Sequence, residues 1–171
     1  MAIINKQHKQ YSRPRKLFEA GRIKEENELV KKYGLKNKRE IWKANSMVRK
    51  IREQAKKFIT ASLNVQEELI SRLANKGLLK KGSKIDDVLD LKKENVLDRR
   101  LQTVVFKKGL AKTPKEARQM IVHRHVILKG HIVNIPSYQV NLKEESEIKL
   151  KGKKPKETKE KVVEEKANAS S

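Results

Sequence analysis

The 171-residue sequence has no cysteine, and only 4% of its residues are aromatic. Without cysteine there is no disulfide, no thiolate zinc site and no cysteine nucleophile. Hydrophobic residues make up 36% of the chain, below the roughly 45–50% (glycine included) of typical globular proteins, so we do not expect a large enzyme core. No apolar run approaches the roughly 18 residues of a membrane span. Residues 1–10 contain no apolar signal segment, so we expect a cytoplasmic protein.

Positive charge is what the sequence has in excess. There are 43 Lys and Arg residues against 21 Asp and Glu, giving a formal net charge of +22. Such a balance indicates a polyanionic partner, either nucleic acid or an acidic membrane face. Basic and acidic residues number 18 and 6 in residues 1–60, 7 and 6 in 61–96, 9 and 2 in 97–140, and 9 and 7 in 141–171. We interpret the two basic blocks as two surfaces that face nucleic acid, although two basic helices in an ordinary protein would give the same pattern.

The first 96 residues predict a basic arm followed by helices. Pro14 favours an extended conformation in residues 11–16, and residues 17–33 predict a helix that ends at Gly34. Asn37 and Glu40 have capping-box spacing for a second helix that continues to Phe58. Its apolar stripe leaves Trp42 with two possible roles, packing in the core or stacking on a base. Asn64 and Glu67 repeat the capping pattern for a third helix ending near Gly77.

The remaining ordered part mixes helices with short strands. Residues 94–108 predict one helix, and Thr113-Pro114-Lys115-Glu116 marks the start of another that reaches about His123. Short apolar runs between residues 126 and 135, broken at Lys129-Gly130, predict small strands around a turn, and residues 146–150 predict a closing strand. We therefore predict an α+β fold. The last segment, 151–171, alternates lysine with glutamate and predicts a disordered tail.

Residues 97–140 resemble the S-four RNA-binding module, in which two helices pack on a short β-hairpin sheet. The resemblance rests on Leu97-Asp98-Arg99-Arg100-Leu101-Gln102 and on the Thr113 to Val126 segment. With Tyr33-Gly34-Leu35-Lys36-Asn37-Lys38-Arg39-Glu40 and Trp42, it extends over residues 1–150 to the archaeal and eukaryotic branch of the small-subunit ribosomal protein S-four family.

This resemblance implies a domain organisation. It divides the chain into a basic arm and mostly helical domain (1–96), completed by residues 142–150, and an inserted module (97–141). Some bacterial relatives carry a cysteine zinc site that this chain lacks. We expect no metal or cofactor, and no enzymatic activity, because the sequence has no phosphate-binding glycine loop, metal-ligand box or serine elbow.

The resemblance also implies a function. The family binds small-subunit ribosomal RNA in its 5′ domain, acts early in assembly, lines the channel through which mRNA enters and influences translational accuracy. Expected partners are that RNA, neighbouring ribosomal proteins and mRNA, with no membrane and no homo-oligomer. A free RNA-binding chaperone that uses the module on tRNA or rRNA is the alternative.

Basic and polar side chains along both charged blocks form the predicted RNA-contact set. Histidines spaced like His123 and His125 also suit a metal, but no third ligand is near in the sequence. The set comprises Arg13, Arg15, Lys16, Lys38, Arg39, Lys43, Arg49, Lys50, Arg52, Arg99, Arg100, Lys107, Lys108, Thr113, Lys115, Arg118, Gln119, His123, Arg124, His125 and Lys129.

Overall fold

Eight helices and one three-stranded sheet make up the part of the chain that the computed structural model describes, residues 10–80 and 82–151. The α+β class is confirmed. In chain order the elements are α1 (Ala20–Tyr33), α2 (Lys38–Phe58), α3 (Leu63–Asn75), α4 (Ile85–Leu89), α5 (Lys93–Asp98), α6 (Leu101–Lys107), α7 (Pro114–Val122), β1 (Val126–Leu128), β2 (His131–Ile132), α8 (Leu142–Glu145) and β3 (Lys149–Leu150). None of these described helices is long and apolar enough to cross a membrane.

The long helix α2 is the centre of the first hydrophobic core. Its apolar side chains recur every three or four residues, so they form one buried stripe. Helices α1, α3, α4 and α5 pack around that stripe. The buried residues of this core run from Leu29 to Leu97. The near-neutral stretch of the sequence therefore serves mainly to cover α2.

The second core lies between α6, α7 and the sheet, whose strand order is β2-β1-β3 with both pairings antiparallel. Leu128 pairs with His131 across a two-residue turn. Both turn residues, Lys129 and Gly130, have positive φ (51° and 79°), as a tight hairpin that follows the right-handed strand twist requires. The predicted strand does not continue beyond Ile132, and Ile135 is exposed.

Two helix starts differ from their predictions. Asn37 does precede α2, but its side chain makes no capping bond. Helix α3 begins at Leu63, so Asn64 lies inside the first turn instead of capping it. Both predicted capping boxes are therefore wrong, whereas Thr113 does accept a hydrogen bond from the Glu116 amide, as predicted.

The helix predicted over residues 94–108 is two helices, α5 and α6, separated at Arg99 and Arg100. Arg100 has extended backbone angles and forms a β-bridge with Gln139. The Leu101 amide donates to the Tyr138 carbonyl, and the Val140 amide donates to the Arg99 carbonyl. These bonds come from a segment some forty residues away, which helical periodicity does not detect.

Residues 142–150 pack mostly with the second core. Ile148 is buried there, and β3 pairs with β1. The division at 96/97 and 141/142 remains a prediction, and these contacts favour a second boundary after Leu150. The predicted tail lies, apart from Lys151, outside the described residues.

Candidate nucleic-acid interface

A cleft of ≈ 700 Å³ lies between α2 and the module. The basic arm contributes Tyr11 to its lining. The side chains that matter most for its chemistry come from both cores: Arg39, Glu40, Lys43, Met47 and Lys50 on one side, and Arg100, Arg118, Pro136, Ser137 and Gln139 on the other. The cleft thus joins the two basic blocks of the sequence in one concave surface.

Three basic side chains of α2 line this cleft. Arg39, Lys43 and Lys50 lie within about 40° of one another around the helix axis and span about 16 Å along it. All three are exposed, while the apolar stripe faces the core. A straight row of solvated cations along a helix is suited to successive phosphates of a nucleic-acid backbone.

A carboxylate at the cleft binds arginines from the second core. Glu40 accepts from Arg100 Nη2 at 2.6 Å and from Arg118 Nη2 at 3.0 Å. Burial by itself raises the pKa of Glu40, but the hydrogen bonds and charges of Arg118 and Arg100 outweigh it and hold the pKa below its ordinary value. Because the arginines belong to α7 and to the segment before α6, this carboxylate ties the two cores together.

Gln102 extends the same connection into the interior. It is 1% exposed, and its amide nitrogen donates to the carbonyls of Tyr33, Gly34 and Pro114. Its oxygen accepts from Arg118. A β-carbon on Gly34, whose φ is +59°, would lie 2.9 Å from Pro114 Cβ. Glycine therefore meets two needs here, the left-handed helix end and the close approach of α7.

Helix α7 carries predicted contacts to the edge of the cleft. Thr113 caps it, and Pro114 occupies its first turn. Arg118 lines the cleft, and helical geometry places Lys115 and Gln119 further round, toward solvent and away from buried Ala117. The basic surface therefore continues from the cleft onto α7.

The end of α7 presents three more exposed polar side chains. His123, Arg124 and His125 all lie in water, and the two imidazoles stack with centroids 6.4 Å apart. Arg124 has a positive φ of 62°. Within residues 10–80 and 82–151, no group of three or more His, Cys, Asp or Glu side chains could hold a metal ion.

The basic arm lies against α1 and α2. The Ser12 amide donates to the Ser46 hydroxyl, and the Tyr11 ring lies 6.0 Å from that of Trp42. Trp42 in turn donates to the Glu26 carboxylate at 2.9 Å. Its packing against the protein favours the structural alternative for this residue.

Three predicted contact residues are used inside the protein. Arg52 donates to the Leu91 carbonyl at 2.6 Å, Arg99 donates to the Val140 carbonyl and to Glu145, and Arg100 is 5% exposed with Glu40 as its partner. These internal bonds occupy some of the donors of Arg52, Arg99 and Arg100, whose contact with RNA stays a prediction.

The other predicted residues remain predictions of RNA contact. Several are half-exposed or exposed but have an internal partner: Lys38 with Glu26, Arg49 with Glu53, Lys107 with Asp98, Lys108 with the Glu145 carbonyl, and Lys129 with Glu144. Arg13, Arg15 and Lys16 are exposed on the arm. The ion pairs of Arg49 and Lys107 are exposed on both sides and contribute little to stability, so these two cations can exchange a carboxylate for a phosphate at small cost.

Sequence reasoning missed two residues that shape this surface. The spacing from Asn37 predicts a capping role for Glu40, and the sequence pattern gives Gln102 no role. The available signal for Gln102 is an amide beside the apolar residues Leu101, Val104 and Val105, since a buried polar group needs partners. Nothing local identifies Glu40, whose partners lie 60 and 78 residues away.

Comparisons with known proteins match part of the chain to a family model and most of it to named relatives. The family model described as the S4 domain matches residues 99–146. The chain is 45% identical over 164 residues to the small ribosomal subunit protein uS4 of Methanospirillum hungatei, with 91% of each chain covered. It is 49% identical over 152 residues to the protein of the same name from Methanothermobacter thermautotrophicus, covering 86% of this chain and 89% of that one. For Methanococcus aeolicus the identity is 49% over 145 residues, with 82% of each covered.

Proposed function

The chain belongs to the family of the small ribosomal subunit protein uS4. From that premise we propose that it is a non-enzymatic structural component of the small ribosomal subunit. We propose further that it binds the subunit's RNA through the cleft between α2 and the module. The observation that carries this proposal is the row of Arg39, Lys43 and Lys50 along the cleft.

The chemistry of the cleft favours RNA over a small substrate. Arg39, Lys43 and Lys50 are exposed cations, and the one carboxylate among the described lining residues, Glu40, is already bound by two arginines. Folded RNA offers phosphates and 2′-hydroxyl groups on a shape that a concave basic surface can follow without reading a base sequence. The matched S4 domain supplies the opposite wall of the cleft.

The family resemblance supports finer proposals. We infer binding to the 5′ domain of the ribosomal RNA, a role early in assembly, a position at the channel through which mRNA enters, and an influence on translational accuracy. The partners are then ribosomal RNA, neighbouring ribosomal proteins and mRNA, and the protein is located in cytoplasmic ribosomes.

Affinity for a 5′-domain fragment of ribosomal RNA tests the proposal directly. We expect the full chain to bind this fragment far more tightly than an unrelated RNA duplex of equal length, and to lose affinity steeply with salt as counterions are released. Equal affinity for both RNAs contradicts the proposal.

Two pairs of variants locate the binding in the cleft. Lys43→Ala is expected to weaken binding and to reduce the salt slope by about 0.7–0.9, the contribution of one phosphate contact. Lys56→Ala on the same helix, about 100° or more away around the axis, is its control. Ser137→Trp places a bulky ring at the cleft and is expected to weaken binding. Ser146→Trp changes an exposed serine that does not line the cleft and is its control.

Sedimentation distinguishes a ribosomal protein from the chaperone alternative. A structural component is stoichiometric on small subunits and stays bound through a salt wash. A free chaperone is sub-stoichiometric and is removed by that wash, which would overturn the structural assignment.

A further inference from the structure

Phe18 is the most exposed large hydrophobic side chain of the described residues, at 92%, and the neighbouring Leu17 is 59% exposed. Both lie in the turn between the basic arm and α1, outside the cleft. A phenylalanine is usually withdrawn from water because its burial is favourable. The structure shows why this ring does not fold back.

The backbone of the turn is fixed by a nearly buried ion pair. Arg22 Nη2 donates to the carbonyls of Lys16 at 2.9 Å and Leu17 at 2.8 Å, and Arg22 Nη1 donates to Glu26 at 2.8 Å. Glu26 is 4% exposed. Burial alone raises the pKa of Glu26, but the hydrogen bonds from Trp42 and Arg22 outweigh it and keep the pKa low, so the carboxylate stays charged.

The other end of the arm is also attached, through the Ser12 amide to Ser46 on α2. The arm is therefore held at both ends and displays Phe18 on a fixed backbone. The backbone that carries Phe18 therefore loses little conformational entropy when a partner covers the ring.

The charges around Phe18 indicate what that partner is. Arg13, Arg15 and Lys16 are exposed, and residues 10–18 contain no acidic side chain, while the adjacent Glu19 lies 3.9 Å from Arg22. An aromatic ring among cations is the arrangement with which proteins bind single-stranded nucleic acid, since bases stack on the ring while the cations contact the phosphates. An apolar pocket on another protein has no need of the three cations.

We propose that Phe18 stacks on an unpaired base of RNA while Arg13, Arg15 and Lys16 contact the flanking phosphates, as a single-strand site separate from the cleft. This rests on the proposed function only in taking RNA as the partner. It adds a class of ligand, an unpaired nucleotide, that the cleft does not specify.

Variants of Phe18 test the stacking with a probe that does not depend on ribosomal RNA. The probes are a short single-stranded oligoribonucleotide of mixed sequence and the duplex made by annealing it to its complement. Phe18→Ala is expected to weaken single-strand binding about tenfold, with duplex binding and the salt slope unchanged. Phe18→Trp retains the affinity. Phe18→Leu behaves like Phe18→Ala, because leucine is apolar but has no π face.

Leu63→Ala, at a position that is 72% exposed on α3, is the matched control and is expected to bind both probes like the wild type. Equal single-strand affinity of wild type and Phe18→Ala overturns the proposal. If Phe18→Ala instead keeps its RNA affinities but no longer sediments with small subunits, the partner is a protein and the proposal is wrong. Failure of the proposed function is a separate result, in which the wild-type protein binds the ribosomal fragment no more tightly than an unrelated duplex.

Discussion

Replacing Glu40 with alanine removes the carboxylate that Arg100 and Arg118 share across the boundary of the two cores. The two arginines differ in what they lose. The Arg118 side chain is 24% exposed and keeps Gln102 as an acceptor, so its loss is small, about 0.5–1 kcal/mol. The Arg100 side chain is 6% exposed, and its Nε has no hydrogen-bond partner among the described residues.

The cost of Glu40→Ala therefore comes mainly from Arg100, which becomes a buried cation without a counter-charge. Breaking a buried ion pair by removing one partner costs about 3–5 kcal/mol. Since Arg100 can move part of its guanidinium toward the cleft, we expect the lower end, about 3 kcal/mol in the free energy of unfolding. For a chain of this size that corresponds to a melting temperature about 10 °C lower.

A double-mutant cycle separates the ion pair from other effects of the substitution. Glu40→Ala combined with Arg100→Met removes both charges and leaves an apolar side chain of similar length, an exchange that is often neutral. The double variant should be less destabilised than the sum of the single variants by about 2 kcal/mol. Urea unfolding followed by far-UV circular dichroism and by Trp42 fluorescence measures these energies. It also shows whether the first core, which Trp42 borders, unfolds apart from the second.

The reasoning is refuted if Glu40→Ala unfolds within about 0.5 kcal/mol of the wild type, the range of ordinary surface substitutions. It is equally refuted if the double variant is no more stable than the sum of the single variants predicts, since the cost then has another origin.

Three further predictions concern stability and binding. Three carboxyl groups, those of Glu26, Glu40 and Glu144, have folded-state pKa values below the ordinary 4.5. Their contribution to stability is therefore present above pH 4.5 and is lost as the pH falls through the lowered values. The midpoint of urea unfolding, measured at successively lower pH, should fall accordingly. Gly34→Ala should lower the free energy of unfolding by about 1–3 kcal/mol, because of the positive φ at this position and the contact with α7. Gly21→Ala, inside α1 with open space around it, should raise the free energy of unfolding by about 0.5–1 kcal/mol. Thermal melting should show the melting temperatures of the two variants shifted in opposite directions. Arg118→Ala and Arg124→Ala should each weaken binding to the ribosomal RNA fragment by about 1–3 kcal/mol. If both variants bind with wild-type affinity, their side chains lie outside the interface.

The sequence predicted those elements whose determinants are local. The apolar stripe of α2 and the Thr113-Pro114 start of α7 depend on residues within one or two helical turns, and both form as predicted. The break at Arg99 and Arg100 was missed because the bond that ends α5 comes from residues 138–140. Periodicity over residues 94–108 is compatible with one helix, and only the pairing with a distant strand-like segment interrupts it.

The same limit applies to the exposure of the predicted site residues. Exposed cations such as Lys43 and Lys115 are recognised from charge and helical position alone, without knowledge of the fold. Burial of Arg99 and Arg100 depends on the return of residues 138–145 to the start of α6. The sequence therefore predicts the exposure of a basic residue well only where no other segment crosses it.

Because Glu40 is a carboxylate in a basic cleft, it can affect RNA affinity in two opposite ways, through the total charge and through the geometry of the cleft. Glu40→Gln removes one negative charge from the cleft, and if net charge decided affinity, RNA would bind more tightly. Glu40 also fixes the positions of Arg118 and of the module relative to α2, and phosphate contacts need donors held at defined places. We expect geometry to dominate, so Glu40→Gln should bind the ribosomal RNA fragment more weakly than the wild type at equal salt. Tighter binding by this variant would mean that the cleft acts as a diffuse field of charge and not as a shaped site.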